Sequence, residues 1–204
     1  ESLYKENSHS IGGSEVDGSE FDSIKDFFQT ANDSLGSIDC VINCIGSLLL
    51  KPAHLTTESD LDNVFKTNVY SCFGVLKYSF KYMKNNGGSL IFFSSAASKV
   101  GLKNHEAISS AKGAISSLVI SASSTYANYN IRVNAIAPGL VETPLTQKIV
   151  NNQSSLEYSR NLHGLNRIGS PDNFIPIIES LIDTRSDWIT GQTFSIDGGL
   201  SNVK

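Results

Sequence analysis

The sequence predicts an α/β fold, a doubly wound parallel sheet with helices on both faces. Three observations predict it. Short β-branched runs alternate with longer helical patterns from Asp17 onward. Two of the short runs, IDCVIN at 38–43 and SLIFFS at 89–94, are nearly continuous in apolar residues, as strands covered on both faces are. The unusual residues gather just past the predicted strand ends, at 43–46, 94–98, 137–143 and 197–199. Open parallel sheets bind their ligands at that edge.

The elements follow in order. SEVD at 14–17 reads as a weak first strand. A helix over 21–35 ends at Gly36, the residue type best suited to the left-handed position after a helix. The strand at 38–43 leads to a long helix over 57–84, opened by the capping signal TTESD and closed by NNGG. After the strand at 89–94 comes a small-residue helix over 107–127, closed by NYN. IRVNAIA at 131–137 and TFSID at 193–197 are the remaining strands. The segment 151–166 is polar and weakly periodic and reads as mobile, whereas 171–181 reads as a helix with Ser170 as N-cap and Pro171 in its first turn. No repeat or linker divides the chain, so residues 1–204 read as one domain.

Composition narrows the function classes. In 204 residues, 40% are hydrophobic and 18% charged, an ordinary globular balance. A net charge of −4 without a Lys/Arg cluster argues against a nucleic-acid surface. No apolar run reaches the roughly 18 residues that a membrane span needs. The best candidate, CVINCIGSLLL, is interrupted by Asn43 and Gly46, and the polar opening ESLYKENSHS does not read as a signal peptide. Cys40, Cys44 and Cys72 form no metal-ligand spacing; they read as buried thiols of a reducing compartment, with the cytoplasm expected.

A series of short motifs then runs in order along nearly the whole chain: NCIG at 43–46, Asn68 in KTNVYSCFG, Ser95 closing IFFSS, Lys112 in ISSAKGA, NAIAPGLVETPL at 134–145, RIGSP at 167–171 and ITGQTFSIDGG at 189–199. Together they resemble the short-chain dehydrogenase/reductase family. The resemblance implies a Rossmann-like domain, an NAD or NADP cofactor and an oxidoreductase acting on a carbonyl or alcohol. It places Ser95, Lys112 and Asn68 in the catalytic set. It also places Asp17, Asn43, Gly46, Lys112, Pro138, Gly139, Val141 and Thr143 around the cofactor. Asp17 would hold the adenine amino group, backbone groups near Val141 the carboxamide, and Thr143 the amide or pyrophosphate. The partners implied are a small-molecule substrate and further copies of the chain, as a homodimer or homotetramer. Val69, Phe73, Leu76 and Phe80 would lie on the helix face of that interface.

The spacing has a physical basis. In the family a tyrosine stands four residues before the lysine, which stacks both side chains on one helix face. The ammonium lowers the phenol's pKa and bonds the nicotinamide ribose. The phenol acts as general acid or base while the serine hydroxyl holds the substrate oxygen. The helix asparagine supports a water relay to the lysine.

Two departures stand out. Ile108 occupies the tyrosine position and has no ionisable group. Loss of a positioned acid or base typically costs about 10²–10⁴ in rate. His105, seven residues before Lys112, is the local substitute, although a surface or capping role suits it better; Tyr126 and Tyr129 lie at the far end of the helix. Secondly, the family's glycine-rich phosphate loop has no match. SIGGSEVDG lacks the following helix, and the resemblance implies about 45 further residues, with two central strands, ahead of Glu1. The strand at 38–43 is then left with an open edge. The readings that follow are an NAD(P)-dependent oxidoreductase with an unusual proton path, an inactive relative that binds nucleotide or partner, or a purely structural oligomer partner. The segment 145–166, with Gln147, Tyr158 and His163, is expected to line the substrate pocket.

Overall fold

The computed structural model describes residues 12–203. Expectations that fall on residues 1–11, including the start of the SIGG loop, lie outside them. Four strands, β1 (Cys40–Asn43), β2 (Gly88–Phe93), β3 (Ile131–Pro138) and β4 (Thr193–Ile196), form one parallel sheet in the order β1-β2-β3-β4. Cys40 pairs with Ser89, Ile91 with Asn134 and Ala137 with Ser195. Successive side chains on β2 point to opposite faces, which explains its apolar run. Leu90 and Phe92 join Val133 and Ala135 beneath α1 (Phe21–Leu35), α3 (Ser71–Met83) and α4 (Glu106–Tyr126). Ile91 joins Ile136 on the other face, under Phe174 and Leu181 of the segment that contains α7 (Ile175–Ile182). Helices thus cover both faces.

Local chemistry sets the ends. Gly36 takes φ +79° and its N–H bonds Asn32 O at 2.8 Å, closing α1 where the glycine predicted it. Thr57 and Asp60 form a reciprocal capping box at the start of α2 (Glu58–Phe65). At the last helix Asn173 Oδ1 accepts from Ser170 N at 3.0 Å, and the first turn, Pro171–Phe174, is a 3₁₀ turn that runs into α7. Buried Asn134 accepts from Gln192 N and donates to Ile189 O, so β3 aligns the chain entering β4.

Three expectations need correction. Residues 12–17 lie extended but join no ladder, so the expected strand at 14–17 is absent; β1 has a neighbour on one side among the described residues. The polar segment 151–166 contains one helix, with α5 (Gln147–Val150) just ahead: α6 (Gln153–Leu162) starts where Asn152 Oδ1 accepts from Ser155 N at 3.0 Å. A local cap supplied the order that weak periodicity did not show. The helix expected over 57–84 is interrupted by a π-turn at Lys66–Tyr70 between α2 and α3. Among the described residues, no helix is long and apolar enough to cross a membrane.

Candidate active site

The site forms where β1, β2 and α4 meet the π-turn. Asn43, buried at the end of β1, accepts from Ile45 N at 3.1 Å and turns its amide nitrogen toward Ser71 and Cys72. That turn brings Gly46 against two polar groups. A Cβ there would stand 3.2 Å from Asn68 Oδ1 and 3.4 Å from Lys112 Nζ. Asn43, Gly46, Asn68 and Lys112 therefore lie together. The Asp17 turn joins the same loop from outside, because Gly18 packs directly on Ile45. Asp17 itself is exposed, and hydrogen bonds from the Ser19 hydroxyl and amide hold its carboxyl below the ordinary carboxylate range.

Asn68 sits inside the π-turn with no exposed surface. Its amide nitrogen donates to Val64 O and to Ser47 Oγ, each at 2.9 Å, while Oδ1 accepts from Ser47 N at 3.3 Å. A π-turn displaces one carbonyl from the α ladder and is often found at functional sites. Here the asparagine side chain bonds Val64 O, one turn back, and ties the turn to the loop after Gly46.

Ser95 lies half-buried at the end of β2, where its Oγ accepts from Ala97 N at 3.1 Å. Its own proton has no acceptor among the described residues. Ser109 Oγ donates to Ala97 O at 2.6 Å, which pins the Ser95 turn to the first turns of α4. Neighbouring Ser94 is committed elsewhere, bonding Lys112 O at 2.9 Å and Ser116 Oγ at 2.8 Å. Of these two neighbours, Ser95 is the one whose hydroxyl is left able to donate.

Lys112 is 8% exposed and donates from Nζ to Phe93 O at 2.9 Å. Burial pushes its pKa down from the usual lysine value, partly offset by the Cys72 and Cys44 thiols nearby. Burial likewise pushes the Cys72 thiol up to about 11. An ammonium carries three donors, and one protein acceptor is recorded for this one. The remaining capacity faces Gly46, where the absent Cβ leaves room. Those features fit the ribose of a nicotinamide dinucleotide, a neutral diol rich in acceptors.

Ile108 is 3% exposed and packs with Val64, Val69 and Ala111, flanked by Leu48, Leu49 and Phe65. No ionisable group takes its place. The His105 ring is held by Lys103 O at 2.7 Å, at the N-terminal edge of α4. Tyr126 and Tyr129 pack on Phe80 at the other end of the helix.

The loop Pro138–Thr143 follows β3 and is fastened on several sides. Gly139 N donates to Ile196 O, Val141 pairs with Gly169, and Thr146 Oγ1 accepts from Thr143 N at 3.1 Å. Leu140 N donates to His163 Nε2 at 3.1 Å. His163 was expected in a substrate pocket; it lies buried behind this loop, beside a cavity of about 340 Å³ that Arg167, Asn173 and Asp197 also line. One histidine in a polar segment carries no sequence signal for that placement. A second groove of about 360 Å³, lined by Val16, Ile24, Phe28, Val41 and Ile45, runs along the open side of β1.

A parallel sheet covered by helices on both faces, with a buried lysine, an asparagine-held π-turn and a serine past its carboxyl edge, is a Rossmann-like doubly wound fold. The family model described as enoyl-(acyl carrier protein) reductase matches residues 1–201. The chain belongs to the short-chain dehydrogenase/reductase family. It is 32% identical over 167 residues to a chloroplastic tropinone reductase homologue of Arabidopsis thaliana, covering 81% of this chain and 52% of that protein. It is also 32% identical over 182 residues to the 3-oxoacyl-[acyl-carrier-protein] reductase of Thermotoga maritima, covering 88% and 72%. Among solved structures, a putative gluconate dehydrogenase from Agrobacterium tumefaciens superposes with a TM-score of 0.87 at 26% identity, over 93% of this chain and 75% of that one. A Tyr-to-Phe variant of ElxO with NADPH bound gives 0.85 at 25% identity, over 92% and 77%. The chain spans from 52% to 76% of the length of the first curated relatives it matches.

Proposed function

We propose that the chain binds NAD or NADP through Asp17, Asn43, Gly46, Lys112 and the Pro138–Thr143 loop, and serves carbonyl–alcohol interconversion without a positioned phenol. The observation carrying this reading is the contact of Gly46 with both Asn68 and Lys112: a buried ammonium with donors to spare, facing a gap that a side chain would fill. When bound, the nicotinamide would supply or accept the hydride. Lys112 would bond the ribose hydroxyls, Asn68 would hold the loop that carries Gly46, and Ser95 would donate its hydroxyl proton to the substrate oxygen as a hydrogen bond. Without an acid at position 108, the oxyanion formed on reduction takes its proton from water. Turnover is then slowed by about 10²–10⁴, the usual worth of a positioned acid.

The packing of Ile108 in an apolar cluster favours a second reading, a relative that binds the dinucleotide and does not turn it over. The NADPH-bound Tyr-to-Phe variant of ElxO is a protein of similar fold that holds the cofactor after losing a phenol hydroxyl. Self-association as a dimer or tetramer is part of the proposal and rests on the half-exposed Phe73 and the exposed Ile120 of α3 and α4. Of the face expected for that interface, Leu76 and Phe80 pack on the chain's own main core and Val69 on the Ile108 cluster. Titrating the protein with NADH and with NADPH, read by reduced-nicotinamide fluorescence, tests the binding claim. Saturable binding of either supports it, and no binding of both at millimolar cofactor contradicts it.

A further inference from the structure

We propose that His163 is a positioning residue that clamps the Pro138–Thr143 loop, and that a second proton on its ring releases the clamp. The inference rests on the loop belonging to the cofactor site, as proposed above.

The geometry assigns the tautomer. His163 Nδ1 lies 2.6 Å from Ser159 O, a carbonyl that can only accept, so Nδ1 carries the proton. Nε2 is then the bare nitrogen and accepts from Leu140 N–H at 3.1 Å. Both nitrogens are used, and only the neutral ring can use them this way. The ring is also held by shape. A Cβ on Gly139 would come 2.5 Å from Nε2, and one on Gly198 would come 3.6 Å from His163 Cβ and Cδ2. His163 therefore stands between the Pro-Gly loop and the Asp-Gly-Gly turn, and the missing side chain of Gly139 admits the imidazole. The backbone of the same segment closes the arrangement, with Leu165 N donating to Gly198 O at 2.9 Å.

With Nδ1 already protonated, a second proton on the ring can go only to Nε2. A proton on Nε2 would turn the acceptor into a donor pointed at the Leu140 N–H donor, and that hydrogen bond would be lost. The charged groups around the ring offer no substitute. Asp197 spends its carboxylate on Gly199 N, Ser201 N and the Ser201 hydroxyl. Arg167 directs Nη1 at Ile168 O and Asn173 Oδ1. Glu142 on the loop and Glu157 and Arg160 on α6 are exposed. Leu140 is next to Val141, whose backbone is expected to meet the carboxamide, so a freed loop would weaken the nicotinamide end of the site.

The test uses amide hydrogen exchange at Leu140, resolved by NMR on the cofactor-free protein, beside NADH and NADPH titrations at pH 7.5 and 5.5. Wild type should protect Leu140 at pH 7.5 and lose about tenfold of that protection at pH 5.5, after correction for the intrinsic exchange rate, as befits one hydrogen bond. His163→Phe should lack the protection at both values. His163→Gln, whose amide oxygen can stand where Nε2 stands and does not titrate, should keep it at both, and its cofactor affinity should lose the acid dependence seen in wild type. Protection that is the same in wild type and His163→Phe, or an acid loss that persists in His163→Gln, would overturn the proposal. A clamp that behaves as described in a protein that binds neither dinucleotide would leave His163 in its role and refute the cofactor reading alone.

Discussion

Ile108 and Lys112 lie one turn apart on α4, almost equally buried at 3% and 8% exposure, and their surroundings are opposites. Around Lys112 stand the Phe93 carbonyl, the gap at Gly46 and the Asn68 amide. Around Ile108 stand the apolar side chains of Val64, Val69, Leu48, Leu49 and Phe65. The lysine side is expensive, since burial of an ammonium is unfavourable and no carboxylate pairs with it among the described ion pairs. The isoleucine side is ordinary core. The chain thus keeps a costly group where the proposed dinucleotide would use it, and apolar packing one turn away.

Breaking the lysine side should have the largest effect. Lys112→Met should weaken NADPH or NADH binding by roughly 10- to 150-fold, the worth of hydrogen bonds to a charged donor. The melting temperature should hold or rise, because an apolar side chain replaces an unpaired buried charge. A structural lysine would show the reverse pattern. Asn68→Ala should cost about 1–3 kcal/mol in chemical denaturation, because Val64 O and Ser47 lose their buried partner. Cofactor binding should weaken with it, since the same side chain seats the Gly46 loop.

The capping box of α2, remote from both sides, sets the scale for plain helix stability. Thr57→Ala should cost about 1 kcal/mol and leave cofactor affinity unchanged. The smallest effect is in alkaline pH dependence. With its folded pKa below 10.5, Lys112 binds fewer protons in the native than in the unfolded state between those values, so stability gains as pH rises through that window. Cys72, raised from 9.0 to about 11, acts in the opposite sense there and loses stability as pH rises. Subtracting the urea-denaturation profile of Lys112→Met from that of wild type isolates the lysine, and the difference should climb with pH.

Much of this was legible in the residues. Continuous apolar runs located the strands, and Gly36 marked the end of α1 to the residue. Asn68 and Lys112 converge on Gly46 because motif spacing reflects how strand ends and helix faces meet. Other features leave little trace. The π-turn at Lys66–Tyr70 inserts one residue into an apolar pattern that continues on both sides. The helix Gln153–Leu162 is capped by Asn152 but has few buried apolar positions to make it periodic. At 14–17 the weakly strand-like SEVD finds no pairing partner among the described residues. His163 could not be placed at all, since the groups it bonds, Ser159 O and Leu140 N, are backbone.

The central claim is that the cofactor side of α4 is complete and the proton-delivery side is not. Single-turnover oxidation of NADPH and NADH with a panel of ketones, run on wild type and Ile108→Tyr in parallel, tests it most directly. The substitution places a phenol in the apolar cluster, at a cost of about 1–3 kcal/mol in stability from overpacking. The account predicts that the tyrosine variant exceeds wild type by about 10²-fold or more with at least one ketone. Wild-type turnover that equals or exceeds that of Ile108→Tyr, and is abolished by His105→Ala, would contradict it.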